Sequence, residues 1–298
     1  MCIRDRGNAG VMSASSSYIT IDSSSFNGNE ANYDGGVVYA RYHSNITVGK
    51  SSFNKNIADR HGGVLASDHS SITVSYSSFN KNRADRDGGV IIASDHSSIT
   101  VSNSSFNKNR ADRSGGVLIA SNHSSVTVDN NSFSNNEASY DGGVIHANYH
   151  SSITVDNNSC NKNRADRDGG VLLVFDQSNI TVNNSSFNSN EASNNGGVMC
   201  VYEGSSITVG NNSFNNNTVG YAGGVMYIHF SSITVDNSSF NNNEASNDGG
   251  VVYANHHSNI TMENSSFSNN EVGNSGGCLL YTSPSPRDAT LSRMPSSA

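Results

Sequence analysis

Histidine is the residue whose spacing in this 298-residue chain most directly suggests chemistry. Stacked imidazoles can bind a metal or change charge at about pH 6, and Asp68 and Asp95 each precede one of the histidines. However, serine follows every member of the set, and Gln177, Gly204 and Phe230 replace it in otherwise similar segments. We therefore interpret the histidines as a repeated turn residue and predict no metal and no cofactor, with metal binding as the alternative. The members of the set stand mostly at intervals of 26 or 27 residues and are His43, His69, His96, His123, His150 and His257.

Carboxylates are the second group that could do chemistry. They stand in repeated segments, for example at Asp129, Asp156, Asp236 and Glu263. Catalysis needs one place in which unlike groups are held together, whereas uniform repetition predicts a smooth surface. The sequence also shows no nucleophile–base pair and no phosphate-binding loop. We therefore predict that the chain is not an enzyme and assign no catalytic residue.

These residues recur because the chain repeats one pattern, Phe-x-x-Asn-x-Ala-x-x-x-Gly-Gly-Val, with few substitutions. A fixed period of this length indicates one supersecondary unit per repeat, stacked along an axis. The ten Gly-Gly pairs stand 26 or 27 residues apart and begin at Gly35, Gly62, Gly88, Gly115, Gly142, Gly169, Gly196, Gly223, Gly249 and Gly276.

Each repeat contains three short runs that are typical of strands. They are an Ile-Thr-Val triplet, as in residues 72–74, a Ser-Ser-Phe run that ends at residues such as Phe79, and the residues after Gly-Gly, as in 90–92. The alternation of β-branched and polar residues indicates half-buried strands. Three strands in about 27 residues describe one coil of a parallel β-helix. We therefore predict an all-β, right-handed, single-stranded parallel β-helix of about ten coils, its hand following the usual crossover preference.

Equivalent residues of a β-helix stack into columns. The phenylalanines predict an interior aromatic stack in which Cys160 replaces one ring, and the asparagine three residues after each predicts a ladder of amide hydrogen bonds. Gly-Gly suits a bend with positive φ or a close approach of two backbones. The two columns are Phe26, Phe53, Phe79, Phe106, Phe133, Phe187, Phe214, Phe240 and Phe267, and Asn29, Asn56, Asn82, Asn109, Asn136, Asn163, Asn190, Asn217, Asn243 and Asn270.

Charged and hydroxyl side chains form further columns. Glu137 is expected between Arg110 and Arg164, while Arg83 beside Arg110 suggests a small basic patch. That patch is either a site for an anionic glycan or, as we favour, a solvated turn beside Asp112. An outward threonine column predicts a flat hydroxyl array, which is similar to the surface of ice-binding proteins. Its members are Thr20, Thr47, Thr73, Thr100, Thr127, Thr154, Thr181, Thr208, Thr234 and Thr261.

The two ends of the chain break the pattern. Residues 1–6 and 278–298 read like translated sequencing-adapter DNA, and we interpret both as artefacts that are excluded from fold reasoning. A natural Ser/Pro-rich tail is the alternative for the second segment. The β-helix repeat domain is accordingly predicted to span residues 7–277 and to be truncated at both ends.

The composition of residues 7–277 excludes several classes of protein. Of 17 Lys+Arg and 25 Asp+Glu in the chain, 13 and 23 remain, so the formal net charge is −10. An acidic body argues against a nucleic-acid partner. Only Cys160 and Cys200 remain of the cysteines, and they define neither a zinc site nor a disulfide framework. No apolar run is long enough to cross a membrane.

The repeat resembles that of the polymorphic outer-membrane proteins, a family of bacterial autotransporter adhesins. Residues 79–84 (FNKNRA) and 88–91 (GGVI) carry the paired motifs of that family, and ten copies extend the resemblance over residues 7–277. The chain departs from the family in having valine after Gly-Gly where alanine is frequent. The resemblance implies a secreted or surface-displayed β-helix that is used in adhesion.

We therefore predict a non-catalytic extracellular or cell-surface rod for adhesion or recognition. The expected partner is a ligand on a host cell, in the matrix or on a glycan surface, with no nucleic acid and with membrane contact only through an anchor outside this sequence. Self-association through uncapped ends is also expected. The alternatives are a β-helix that binds or cleaves polysaccharides and, more remotely, an ice-binding threonine array.

Overall fold

The chain winds into a parallel β-helix. The computed structural model describes residues 9–274 and, beyond them, the backbone of residues 4–5 and 279–280. Within these residues, every strand pairs in parallel with the equivalent strand of a neighbouring coil. This confirms the predicted all-β solenoid of about ten coils. The remainder of segments 1–6 and 278–298, which were interpreted as adapter sequence, lies outside the described residues.

Each coil contributes to four sheets, so the prediction of three strands per coil was wrong. The additional strand holds the fourth and fifth residues after phenylalanine, for example Arg83–Ala84. Two residues are too few to show the alternation by which strands are recognised. We name the sheets A (these two-residue strands), B (after Gly-Gly), C (Ile-Thr-Val) and D (Ser-Phe-Asn). The described part contains no helix long and apolar enough to span a bilayer.

Sheets A and B have eleven strands each. Sheet A consists of β1 (Arg4–Asp5), β5 (Glu30–Ala31), β9 (Ile57–Ala58), β13 (Arg83–Ala84), β17 (Arg110–Ala111), β21 (Glu137–Ala138), β25 (Arg164–Ala165), β29 (Glu191–Ala192), β33 (Thr218–Val219), β37 (Glu244–Ala245) and β41 (Glu271–Val272). Sheet B consists of β2 (Met12–Ser15), β6 (Val38–Arg41), β10 (Leu65–Asp68), β14 (Ile91–Ser94), β18 (Leu118–Ala120), β22 (Ile145–Ala147), β26 (Leu172–Val174), β30 (Met199–Tyr202), β34 (Met226–His229), β38 (Val252–Asn255) and β42 (Leu279–Leu280).

Sheets C and D have ten strands each. Sheet C consists of β3 (Tyr18–Asp22), β7 (Asn45–Gly49), β11 (Ser71–Ser75), β15 (Ser98–Ser102), β19 (Ser125–Asp129), β23 (Ser152–Asp156), β27 (Asn179–Asn183), β31 (Ser206–Gly210), β35 (Ser232–Asp236) and β39 (Asn259–Glu263). Sheet D consists of β4 (Ser25–Asn27), β8 (Ser52–Asn54), β12 (Ser78–Asn80), β16 (Ser105–Asn107), β20 (Ser132–Ser134), β24 (Ser159–Asn161), β28 (Ser186–Asn188), β32 (Ser213–Asn215), β36 (Ser239–Asn241) and β40 (Ser266–Ser268).

The interior is a stack of like residues. In sheet C, residues 71–75 pair in order with residues 98–102, and Ile72 and Val74 are buried while Thr73 is exposed. In sheet D, the centroids of adjacent phenylalanine rings are 4.7–5.1 Å apart and the rings are nearly parallel. Cys160 interrupts this stack as a buried thiol, whose pKa is raised by burial. The predicted aromatic column is thereby confirmed.

The asparagine ladder is also confirmed, and it includes the backbone. The side-chain amide of Asn109 donates to Oδ1 of Asn136 and to the carbonyl of Phe79, both at 3.0 Å. The backbone N–H of Asn109 donates to the same Oδ1 at 3.0 Å. Each inner asparagine therefore bonds to the coil before it and the coil after it, and no polar atom of its side chain is left unsatisfied.

The two glycines of each Gly-Gly pair are needed for different reasons. Gly142 has a φ of 64°, in the left-handed region that favours glycine. A Cβ on Gly143 would lie 2.2 Å from the carbonyl oxygen of Gly170 in the next coil. The first glycine makes the bend, and the second allows two backbones to approach.

Replacing the second glycine should disrupt the stacking. Gly143→Ala is expected to destabilise the chain by about 3 kcal/mol or more, since only backbone atoms surround the new methyl group. Gly210→Ser is the control, because the nearest atom to a Cβ there is the movable Oδ1 of Asn183 and serine occupies the equivalent position 75. Urea unfolding followed by circular dichroism would measure both changes. Equal losses of unfolding free energy in the two variants would contradict the conclusion that the second glycine allows the backbones of two coils to approach.

Removing one ladder amide should also be costly. In Asn190→Ala, the carbonyl of Cys160 and the amide groups of Asn163 lose their partners, so a loss of about 3 kcal/mol or more is expected from buried unsatisfied groups. Asn188→Ala in the same coil, at an exposed position, should change the free energy of unfolding by less than about 1 kcal/mol. The urea midpoints of unfolding would measure both variants. A loss for Asn190→Ala no larger than that for Asn188→Ala would contradict the role of the ladder amide.

Candidate functional site

The histidine column lies in the turn between sheets B and C. His96, His123 and His150 have φ values of 58–60°, are exposed, and stack with ring centroids 5.1–5.2 Å apart. His43 and His69 continue the column at wider spacings and angles. The structure therefore brings the first five predicted histidines together.

The serine after each histidine accounts for the turn. Ser97 is buried, and its Oγ accepts the backbone N–H of Ser70 at 3.2 Å while donating to the carbonyl of Ser94 at 2.7 Å. Equivalent serine bonds recur in other coils. The repeated His-Ser pair is thus explained by the buried serine, which the turn requires, and by an exposed neighbour in the left-handed conformation.

Within residues 9–274, one group of side chains could supply three ligands to a metal ion. Asp68, His69 and Asp95 have possible ligand atoms that all lie within 4.8 Å of one another. Nδ1 of His69 is 2.6 Å from Oδ1 of Asp68, so this contact is equally an ordinary surface hydrogen bond between a histidine and its neighbouring carboxylate. The prediction that no metal binds remains a prediction.

The basic patch is neutralised by its neighbours. Arg83 and Arg110 both form ion pairs with Asp112, and the register places Glu137 between Arg110 and Arg164 as expected. Glu137 lies 3.2 Å from Arg110. Arg164 instead pairs with Asp166 at 3.0 Å. Exposed pairs of this kind stabilise a fold little, by about 0–1 kcal/mol, and they favour the interpretation as a solvated turn.

A polar depression runs along the edge between sheets C and D. Its volume is about 840 Å³, and asparagine and serine alone line it. Asn131 and Asn158 of its wall belong to a second, shorter amide ladder. The depression is therefore a product of the repeat and holds no titratable group.

The expectation of a smooth surface was wrong where unlike side chains line a cavity of about 490 Å³ on the outer face of sheet B. We call it the sheet B cavity. It extends across several coils and lies between the turn before Gly-Gly and the turn that follows sheet B. Its walls are Asp141, His146, Asn148, Tyr149, Arg167, Asp168, Leu173, Phe175, Tyr202, Glu203 and His229. A smaller cavity of about 310 Å³ adjoins it and shares three of these residues.

Three outward columns of the repeat position the cavity. Asp141 and Asp168 each stand directly before Gly-Gly. His146 and Leu173 pair as the second residues of β22 and β26 and form the floor. The column that includes Asn148, Phe175, Tyr202 and His229 supplies the opposite wall. In the two preceding coils the floor column holds Ile92 and Ile119, so the chemistry of the cavity comes from substitution within a regular backbone.

The two aspartates stand in unequal environments. Asp168 is 5% exposed; its Oδ1 accepts Nδ2 of Asn195 at 3.0 Å and its Oδ2 accepts the hydroxyl of Tyr202 at 3.2 Å. Burial raises its pKa, although these hydrogen bonds oppose the shift. Asp141 accepts the backbone N–H of Asp168 at 3.4 Å and lies 3.9 Å from Nε of Arg167. Burial raises the pKa of Asp141 to about 6, and the charge of Asp168 adds to the shift against the effect of Arg167.

Two polar atoms of the cavity wall have unused hydrogen-bonding capacity. Among the described residues, Nδ1 of His146 and Oδ1 of Asn148 are buried without a partner. Burial lowers the pKa of His146 to about 4, so its imidazole is neutral at physiological pH. The cavity thus combines carboxylates, a neutral imidazole, an amide oxygen and aromatic rings, an unlike set of groups held in one place.

The sequence did not predict this cavity, because the repeat was interpreted through columns in which the same residue recurs in successive coils. A signal was nevertheless present, since the outward column of sheet B varies, with Ile92 and Ile119 followed by His146, Leu173, Cys200 and Tyr227. The column before Gly-Gly also varies, among aspartate, histidine, serine, asparagine and alanine. Variation confined to facing columns of a repeat is the pattern that would have located it.

Comparison with known families agrees with the architecture. The profile of the right-handed β-helix region matches residues 2–133 and 91–240. The chain belongs to this right-handed β-helix family. A Chlamydia polymorphic membrane protein repeat matches residues 237–255 of the β-helix, which supports the resemblance of its repeat to that family. No curated protein and no solved structure matches the chain.

The raised pKa of Asp141 predicts a pH-dependent stability of this β-helix. A raised carboxyl pKa contributes stability that is fully present below the unfolded value of about 3.9 and is lost as pH rises through about 6. Asp141→Asn removes the charge and keeps the acceptor oxygen, and asparagine occupies the same column at Asn195. The variant should therefore exceed the parent in stability by about 1–3 kcal/mol above about pH 7.

The gain should shrink as pH falls toward about 4, where the aspartate of the parent is largely protonated. Asp248→Asn, in the same column but outside the cavity wall, serves as the control for removal of one negative charge. Melting temperatures across this pH range would measure both variants. A gain in stability for Asp141→Asn that does not change with pH would contradict the raised pKa of Asp141.

Proposed function

We propose that the chain is the non-catalytic recognition rod of a secreted or cell-surface protein. It presents exposed columns to a surface ligand and binds through many weak contacts along its length. The regular coil carries this proposal: intervals of 26 or 27 residues keep each turn at a constant place, so that side chains in the turns form linear arrays.

The repeat supports a surface location. A Chlamydia polymorphic membrane protein repeat matches residues 237–255, and the paired motifs of that repeat recur throughout residues 7–277. Proteins of this type are displayed outside the cell, and an extracellular or outer-membrane location is proposed here by analogy. The exposed surface is polar and acidic, which favours contact with a hydrated cell, matrix or glycan surface.

The exposed columns are suited to multivalent contact. Tyr18, Tyr42, Tyr76 and Tyr149 are between 52% and 86% exposed, and all are aromatic side chains of the kind that anchor interfaces. The outward threonine column repeats the same hydroxyl group from coil to coil, so that many contacts of low affinity add through effective concentration. The rigid ladder core holds the array in place.

Avidity should therefore depend on the number of coils. Deleting residues 27–106 joins Phe26 to Asn107 in register, removes three coils and leaves every residue of the sheet B cavity in place. We expect binding of the full chain to cultured epithelial cells and to immobilised matrix proteins, with a loss of about tenfold or more in apparent affinity for the shortened chain. Flow cytometry and biolayer interferometry would measure the two.

The shortened chain must first show a β-sheet circular dichroism spectrum and cooperative melting. If both chains bind equally well, one local site accounts for binding and the multivalent rod is wrong. If a folded full chain binds none of these surfaces, the recognition function itself is overturned.

A further inference from the structure

The sheet B cavity is lined by three carboxylates and by several aromatic rings. We propose that it binds an alkylammonium group, carried by a lysine side chain of a protein ligand or by a free diamine. Asp141 anchors the cation, and aromatic rings of the wall enclose it. This inference does not depend on the adhesion proposed above, because the cavity would bind a small amine whatever the rest of the rod contacts.

The balance of charge in the cavity favours a cation. Asp141, Asp168 and Glu203 contribute three carboxylates, and Arg167 is the single lysine or arginine among the residues that line the described cavity. His146 is neutral because burial lowers the pKa of its imidazole to about 4. An ammonium ion has three donors and no acceptor, which complements this wall.

Arg167 leaves much of the negative charge of Asp141 uncompensated. Its Nε is 3.9 Å from Oδ1 of Asp141, at the limit of an ion pair, and its side chain is 53% exposed. Its guanidinium lies 5.7 Å from the centre of the Tyr140 ring, outside the cavity lining. The arginine therefore flanks the entrance, and the carboxylate of Asp141 remains available to a ligand.

Asp141 and Asp168 have different roles in the proposed site. Asp168 accepts hydrogen bonds from Asn195 and Tyr202 on both of its oxygens, so it is fixed in place and contributes charge. In the described part of the chain, Asp141 accepts one hydrogen bond, the long one from the amide of Asp168. Asp141 thus has the spare acceptor capacity that an ammonium group would use.

Aromatic rings supply the second element of cation recognition. The ring centroids of Phe175 and Tyr202 are 6.2 Å apart at 66°, and those of Tyr202 and His229 are 5.8 Å apart at 64°. Rings at steep angles form the corner of a cage, in which a cation lies against ring faces. A methylene chain would pack on Leu173 of the floor while its head group reaches the carboxylates.

The unpartnered polar atoms give an independent indication of a ligand. Oδ1 of Asn148 and Nδ1 of His146 line the cavity and are buried without a partner among the described residues. A buried polar atom that lacks a partner costs about 1–3 kcal/mol. An ammonium donor directed at Asn148 would remove that penalty, whereas an anionic ligand would meet three carboxylates.

Calorimetric titration of the full chain would test the proposal. Nα-acetyl-lysinamide and cadaverine are the probes, and the Nε-acetylated form of the first is the neutral control. We expect the charged probes to bind and the acetylated control to bind about tenfold more weakly or not at all. Tighter binding of the lysine derivative indicates a protein side chain as the natural ligand, and tighter binding of cadaverine indicates a free diamine.

Matched variants assign binding to the cavity. Asp141→Asn should weaken binding of both charged probes by about tenfold or more, whereas Asp248→Asn removes the same charge from the same column outside the cavity and should change it less than about twofold. Phe175→Leu should weaken binding by about threefold or more, and Tyr18→Leu, at an exposed aromatic residue remote from the cavity wall, should not. Because Asp141→Asn is expected to be the more stable protein, lost binding would not reflect unfolding.

Three results would overturn the proposal. The first is equal binding of the acetylated and charged lysine derivatives. The second is equal weakening by Asp141→Asn and Asp248→Asn, which would indicate attraction to the net charge of the rod. The third is binding of a neutral trisaccharide such as maltotriose that Asp141→Asn abolishes while the amines do not bind, since the cavity would then be a sugar site.

Discussion

Stacking of each residue on its equivalent in the next coil is the constraint on which this structure depends. Parallel pairing in register gives a buried side chain a neighbour of its own kind on either side. Apolar residues meet this condition by contact, as the parallel phenylalanine rings do. A buried polar residue meets it only if it both donates and accepts, because its neighbours offer the same groups. Asparagine and serine satisfy this requirement, and a column of buried carboxylates would not.

The same constraint determines how far the sequence predicts the fold. The columns of Phe106, Asn109 and Gly116 are visible as a period, and the structure confirms the stacking, the amide ladder and the close approach of backbones. The sequence does not predict that the ladder includes main-chain groups, since the carbonyl of Phe79 carries no side-chain signal. The strand Arg83–Ala84 was missed for a related reason: its two residues pair through their backbones.

The sheet B cavity depends on features that a period cannot show. Its walls come from the turns on either side of sheet B, and its chemistry arises where His146 takes the place of Ile92 and Ile119 of the preceding coils, beside Asp141 and Asp168. Only the fold shows that Asp141, Phe175 and Glu203, from three successive coils, line one space. The histidine column is the converse case. It is conspicuous in the sequence, yet the buried serine beside each histidine explains the turn without any site chemistry.

Asp141 and Asp168 depart from the stacking rule, because they place like charges in adjacent coils. Hydrogen bonds from Tyr202 and Asn195 partly offset the raised pKa of Asp168, while burial raises the pKa of Asp141 to about 6. Asparagine at position 195 shows that an uncharged residue suits this turn, so aspartate at 141 is not needed for folding. Residues that lower stability where a neutral isostere would serve are characteristic of binding sites. A rod whose stability comes from nearest-neighbour contacts tolerates such a local loss, since the ladders on either side remain intact.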